Sequence, residues 1–303
     1  LNSTTFKHLK LNLKGFHIPP GYGPFLFFLA LSAYIVVLLG NGVVVCVIVL
    51  DKNLHRPMFI MICHLLVCDL LGATTVLPRL MMHFLLGQKK IAYASAIAQA
   101  YCVHTYATAM HTILGVMAYD RYVAVCEPLR YHTIMTSARL HSCCALAWIV
   151  AVLIMAVLLS FHKNVPLCGR TIQHVYCSNR GILNLACIPT PMNNIYGRYS
   201  HWELGFMRVS FCVSQAKSCK PVRSKAFQTC APHIVVYVLY EVATLIVVVS
   251  YRFPSLSQNI KKFFSILVYI IPPVINPIIY GLVSKDLRSS FVKRFSQRVR
   301  NKI

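Results

Sequence analysis

The chain is a succession of long apolar runs broken by short polar stretches, most of which carry Lys or Arg rather than Asp or Glu. A run of roughly 20 apolar residues is long enough for a helix to cross the hydrocarbon core of a bilayer. On that measure six spans are predicted, at residues 25–50, 58–84, 94–123, 141–161, 230–250 and 263–283. A polar segment, residues 1–24, precedes them, and a polar tail, residues 284–303, follows.

Basic residues orient these spans, because Lys and Arg gather on the cytoplasmic side of a membrane protein. Lys52 and Arg56 follow the first span and Arg130 and Arg139 the third, while the tail carries Lys285, Arg288, Lys293, Arg294, Arg298, Arg300 and Lys302. An extracellular N-terminus satisfies the first four spans. Six spans, however, return the basic tail to the N-terminal side. A seventh would repair the topology, and its only candidate is residues 196–216, inside the stretch "YGRYSHWELGFMRVSFCVSQAKSC". A charged residue at mid-helix costs about 2.5 to 3.5 kcal/mol, whereas Leu, Phe or Val returns only about 0.3 to 0.6. Glu203 and Arg208 therefore outweigh the apolar residues around them, and the segment reads as a weak, degraded fifth span.

Composition agrees with a multi-pass membrane protein: 57% hydrophobic residues, 12% charged ones and a mean hydropathy of +0.62 over 303 residues. The net charge of +23 suggests nucleic acid as a partner, but the cations lie in loops and tail, where anionic lipid accounts for them. Seven acidic residues leave little for general acid-base chemistry, so no enzyme is expected. His104 and His111 are seven residues apart with no third ligand nearby, which gives no metal site by ligand count. No cofactor is expected, since no phosphate loop or nucleophile arrangement is present, and no filter string supports a pore. Most of the thirteen cysteines lie within apolar runs, but Cys168, Cys177 and Cys187 share a polar loop where an oxidising compartment favours disulfides. Asn2-Ser3-Thr4 is a glycosylation sequon.

"VMAYDRYVAVCEPLRY" closes the third span. Asp120 and Arg121 stand at its cytoplasmic end, where an ionisable pair either exchanges partners as neighbouring helices move or simply anchors the helix end. The longer string resembles the signature of the olfactory (odorant) receptors, a branch of the rhodopsin-like G-protein-coupled receptors. So do "GN" at Gly40-Asn41, "LHRPMF" at Leu54 to Phe59, "LPRLM" at Leu77 to Met81, "SKAFQTCAPH" at Ser224 to His233 and "PPVINPIIYGLVSKDLR" at Pro272 to Arg288. The likeness covers nearly the whole chain, and its wording is closest to the branch typical of aquatic vertebrates.

The resemblance implies an all-α transmembrane fold, a rhodopsin-like seven-helix bundle, in the plasma membrane with the N-terminus extracellular and the C-terminus cytoplasmic. It implies small odorants as ligands and a heterotrimeric, stimulatory G protein as partner, with no role for nucleic acid. Arg121, flanked by Asp120 and Tyr122, would engage the G protein. Lys225 and Thr229 match the moving end of the sixth helix, and Asn276, Pro277 and Tyr280 match the seventh-helix switch. Asn41 and Asp69 match a buried polar pair. His104, Ala107, Thr108 and His111 recur at i, i+3, i+4, i+7 and line one face of the third helix, which in this family looks into the odorant pocket; interhelical hydrogen bonds are the alternative role for the two histidines. Tyr237, Tyr240 and Glu241 are further pocket candidates, although Glu241 equally suits the outer interface. A short amphipathic helix, residues 284–295, is expected to set Leu287, Phe291 and Phe295 towards lipid.

Three departures from the family stand out. Its third-helix disulfide cysteine falls on Ala96, which leaves Cys177 without the usual partner; Cys102 lies nearly two turns deeper, and a Cys102–Cys177 bond stays an open alternative. The second loop bridge maps to Cys168 and Cys187. Met110 stands where many relatives carry an acid, which leaves sodium beside Asp69 an open question. Finally, family-like text stops at Gly197 and resumes at Val222, as compensating frameshifts or a mispredicted exon would produce. The alternatives to a working receptor are a non-signalling remnant held in the endoplasmic reticulum because the fifth span fails, and a small transporter, for which no internal repeat speaks.

Overall fold

In the computed structural model, residues 9–162, 165–191, 195, 223–250, 253 and 255–300 are described. The weak fifth span at 196–216 and the sequon at Asn2 lie outside them.

Helix α1 (Gly23–Leu50) and helix α2 (Pro57–Leu86) both have proline in the first turn, where a missing N–H costs nothing. Helix α2 ends on Gly87, whose φ of 59° is the left-handed conformation that a helix C-terminus favours and that a side chain resists. Helix α3 (Tyr93–Cys126) follows, and then α4 (Ser137–Ser160), whose first turn is capped by the Thr136 hydroxyl accepting from the Arg139 N–H. Helix α5 (Arg223–Ser250) corresponds to the sixth predicted span.

The last predicted span is two helices, α6 (Gln258–Leu267) and α7 (Ile271–Val283). Pro272 and Pro273 supply no N–H and disfavour helical backbone before them, so the helix breaks at residues 268–270. Around the break the bonds tighten to i→i+3, from Tyr269 N to Ile266 O and from Ile270 N to Leu267 O. Helix α8 (Lys285–Arg300) follows α7.

Gly23–Leu50, Pro57–Leu86, Ser137–Ser160 and the combined Gln258–Gly281 are long and apolar enough to cross a membrane. Helix α3 is less apolar because it is the central one: it packs on α2, α4 and α5, and it buries Gln99, Thr105, Thr108 and His111. Helix α1 packs between α2 and α7. The side chains turned away from the bundle are apolar, among them Leu39, Leu50, Leu146, Leu153 and Leu245, as a lipid-facing surface requires.

One end of the bundle is capped by a small sheet. Strand β1 (Lys10–Leu13) lies between β2 (Lys90–Ala92), to which it is antiparallel, and β3 (Thr171–Ile172), to which it is parallel. Leu11 faces Ile91 and Leu13 faces Ile172 in register. The period of two sends Leu11 and Leu13 inward, where they are 0% and 4% exposed, onto Ala96, Ala100, Cys177 and Ile182. The cap is held to α6 as well: His17 and Asn259 exchange two 3.1 Å hydrogen bonds, and Lys262 Nζ donates to the carbonyls of Lys14 and Gly15 at 2.7 and 2.8 Å.

Helix α8 corrects one expectation. Leu287 is 4% exposed and joins the bundle core instead of facing lipid, whereas Phe291 is 46% exposed. The reason is docking: Ser290 donates to Asp51 and Arg294 to the Leu50 carbonyl, which draws the first turns of α8 under the end of α1.

Candidate functional site

Near the cap, the four residues of the α3 stripe diverge in environment. His104 Nε2 accepts the backbone N–H of Asn179 at 3.0 Å, so this ring supports the loop above it. Thr108 and His111 are buried, 5% and 3% exposed, and Ala107 is half-buried. The His111 ring meets Tyr240 of α5 edge-on with centroids 5.1 Å apart. Glu241 is half-buried on the next position of α5, and the side chain of Tyr237 lies outside the described residues.

Tyr240 is one rung of an aromatic chain that sequence reading missed. Tyr106 lies 6.4 Å from Tyr240 and 5.4 Å from Tyr269, and Tyr176 lies 5.4 Å from Tyr269 and 4.3 Å from His174. The chain thus runs from the loop of the cap, through the α6–α7 break, to His111 on α3. Tyr106 approaches α2 closely enough that a Cβ on Gly72 would lie 2.7 Å from its ring, and its hydroxyl donates to the Val268 carbonyl at 3.4 Å. All of these ring contacts but the tilted Tyr106–Tyr269 pair are edge-to-face, a favoured arrangement of aromatic quadrupoles. Burial and the nearby Lys262 charge push the His174 imidazole down to about 4, so it is neutral at pH 7.

The loop above the site is held without the expected α3 disulfide. Cys102 and Cys177 are both free thiols. Gln99 takes over the tethering: its Oε1 accepts the Cys177 N–H at 2.9 Å while its Nε2 donates to the Thr75 carbonyl of α2 at 3.0 Å. Cys168 and Cys187 are joined, with Cα atoms 5.0 Å apart.

In mid-bundle, Asp69 and Asn276 are both fully buried, and Asn276 Nδ2 donates to Asp69 Oδ2 at 2.7 Å. Asn41 does not bond to Asp69. It donates instead to the carbonyls of Val37 and Pro273, both at 2.8 Å; the Pro273 carbonyl needs a donor because Pro277, one turn on in α7, has no N–H to give it. Asn41 and Asp69 therefore reach α7 separately. Close packing reinforces the contact, since a Cβ on Gly40 would meet Pro277 at 3.2 Å. Tyr280, 1% exposed, lies one turn beyond Asn276.

At the end opposite the cap, Asp120 is fully buried and binds Arg121 through Oδ2, at 2.6 Å to Nη2 and 3.0 Å to Nε. Its other oxygen accepts from the Tyr131 hydroxyl at 2.8 Å. Burial and the carboxylate beside it raise the Tyr131 phenol far above its ordinary value, so it stays a donor. Tyr122 is half-buried alongside. The side chains of Lys225 and Thr229 lie outside the described residues, although their backbone is helical in α5. Gln99 carried no signal in sequence, because its role depends on a partner 78 residues away, and Tyr131, though it ends the family-like string, gave no sign of its bond to Asp120, 11 residues back.

Comparison with known proteins identifies the family. The family profile described as "Olfactory receptor" matches residues 30–298. The chain is 33% identical to human olfactory receptor 2K2 over 292 residues, covering 93% of this chain and 92% of the relative. It is 30% identical to human olfactory receptor 52D1, over 93% of this chain and 96% of the relative. The corresponding figures for mouse olfactory receptor 2A7 are 31%, 92% and 93%. The profile reaches into every helix described above, and the chain belongs to the olfactory receptor family, with the all-α, seven-helix transmembrane bundle of rhodopsin-like receptors.

Proposed function

We propose that this protein is an odorant receptor that takes small odorants near His111, Thr108 and Tyr240 and passes the event to a stimulatory heterotrimeric G protein. The chain is a signalling protein of the plasma membrane, with its capped end outside and Arg121 on the cytoplasmic side. The observation that carries the reading is the closed Asp120–Arg121–Tyr131 arrangement at the end of α3. Arg121 held by its neighbour is withdrawn from any partner. Release of that pair exposes a guanidinium, with five donors, on the face where a G protein docks.

A buried, mostly aromatic environment with a few polar atoms suits a small apolar ligand carrying one hydrogen-bonding group. Ligand that binds the open state better shifts a pre-existing equilibrium towards it. Asn276, Pro277 and Tyr280 make α7 a second switch element, tied to α2 through Asp69, and Lys225 and Thr229 sit at the end of α5 that moves. Asn2 is a glycan acceptor on the outer side.

The test pairs an N-terminal epitope, stained on unpermeabilised cells, with cAMP measured against an odorant panel. The expected result is surface staining, a cAMP response to a subset of odorants, and loss of that response with intact staining in Arg121→Ala. A response that survives this substitution overturns the signalling role of Arg121. Absence of the epitope from the surface favours instead a remnant retained in the endoplasmic reticulum, a reading motivated by Glu203 and Arg208 within residues 196–216.

A further inference from the structure

At the capped end, α2 and α3 leave an open cavity of about 510 Å³ between them, within the size range of small-ligand sites. It lies between α2 and α3, whereas His111 and Tyr240 meet between α3 and α5.

Its rim is basic. Arg79 of α2 and Lys90 of β2 both line it, and Arg79 Nη2 donates to the Lys90 carbonyl at 2.7 Å. That bond fixes the guanidinium at the rim with most of its donors unspent; Nε is buried with no hydrogen-bond partner. The Lys90 side chain is exposed and its ammonium is not used by this bond. Gln88 and Ser95 add neutral polar groups at the same level. Ser95 sits in the first turn of α3, where unsatisfied N–H groups contribute positive potential. No carboxylate is among the residues that line the cavity.

Below the rim the wall changes character. Ala98 and Cys102 of α3 are small and weakly polar, and Ile91 closes one side. Cys102 is nine residues into α3, about 14 Å along the helix axis. The cavity therefore presents two cations at its mouth and, beneath them, the small side chains of Ala98 and Cys102 with Thr75 and Gln99 beside them.

We propose that this cavity is a second binding site, for an anionic amphiphile: a carboxylate or phosphate head held between Arg79 and Lys90, with an alkyl chain lying against Ala98 and Cys102. A free carboxylic acid and an outer-leaflet anionic lipid present this same chemistry. Gln99 lines the cavity and also holds the Cys177 loop, so an occupant acts on the side chain that tethers the cap.

The full-length protein, in phosphatidylcholine nanodiscs, is titrated with radiolabelled octanoate, with octan-1-ol as the uncharged comparison. Saturable octanoate binding is expected, weakened about tenfold in Arg79→Gln or Lys90→Gln by loss of one charge-assisted contact. The control Lys89→Gln, which lies outside the lining, leaves it unchanged. Arg79→Gln also removes a backbone contact; Lys90→Gln alters only an exposed side chain and decides the matter if the first variant misfolds. Displacement of octanoate by added phosphatidylglycerol assigns the site to a lipid head, and its persistence assigns it to a free acid. No saturable binding of octanoate, equal binding of octan-1-ol, or equal octanoate affinity in Lys90→Gln and the unsubstituted chain overturns the proposal.

Discussion

Gln99 and Cys177 are joined side chain to backbone, the Cys177 N–H lying 2.9 Å from Gln99 Oε1, at the place where the family resemblance called for a covalent bond from Ala96. One amide thus tethers the loop to α3 and, through Thr75, to α2. Gln99→Leu keeps the volume and leaves the buried Cys177 N–H without its partner, at a cost of about 1–3 kcal/mol. A lower melting temperature and faster hydrogen exchange in the segment around Cys177 are expected.

Ala96 and Cys177 pack in one cluster, and both are fully buried. Ala96→Cys is therefore expected to oxidise onto Cys177 and close a long loop, with stabilisation of about 4 kcal/mol in the chain-entropy account. Peptide mapping under non-reducing conditions identifies the bond; two free thiols at these positions after mild oxidation would count against it.

Tyr131→Phe removes the donor to Asp120 Oδ1 and leaves that carboxylate oxygen buried. Hydrogen bonds to charged groups contribute about 1.5–3 kcal/mol, so the closed pair loses about a tenfold advantage or more. Ligand-independent cAMP is expected to rise, with odorant potency increased in the same direction. Basal cAMP equal to that of the unsubstituted chain would remove Tyr131 from the switch.

The imidazole of His174 titrates at about 4 in the folded cap, against about 6.5 when unfolded. Between these values the unfolded state binds more protons, so stability falls as pH drops from 6.5 to 4 and is flat above 6.5. Acidification from pH 7 to pH 5 is expected to weaken the cap by about 2 kcal/mol. Melting curves across this range should show the drop, and His174→Gln should flatten it.

Gly72→Ala adds a methyl group 2.7 Å from the Tyr106 ring. The ring is fully buried against Tyr240 and Tyr269 and has nowhere to move. Overpacking of this kind costs about 1–3 kcal/mol, and a displaced Tyr106 also loses the Val268 carbonyl. A lower melting temperature together with a shifted odorant dose-response is expected; an unchanged dose-response would separate Tyr106 from ligand sensing.

The helices were legible because an apolar run of membrane length leaves few other structures open to it. Asn41 and Asp69 were legible as a buried polar pair and Asn276 as part of the α7 switch, yet the bonds among them were not: the geometry sends Asp69 to Asn276 and Asn41 to the Pro273 carbonyl, each to α7 and neither to the other. The cap was not legible at all. "KLNL" is four residues long, and its partners lie roughly 80 and 160 positions away, which is beyond what local periodicity reports. Leu287 shows the same limit, since an amphipathic stripe reveals that a face is buried but not whether lipid or protein covers it. Tyr106 looked like one more apolar residue in an apolar run, and only the absence of a Cβ at Gly72 makes room for it.

The polar central helix has a consequence for how the protein is made. Gln99 of α3 finds its partner on α2, Thr112 on α4 at the Ala147 carbonyl, His104 on the cap loop and Tyr106 at the α6–α7 break. Of these partners only Thr75, on the already translated α2, is in place while α3 is leaving the ribosome; the other three follow it in the chain, and side chains of this kind partition poorly into lipid alone. Helix α3 is thus a late guest in the bilayer, retained only once its neighbours have arrived. Substitutions on those neighbours should then register first as lost yield at the cell surface, before any change in what the receptor can sense.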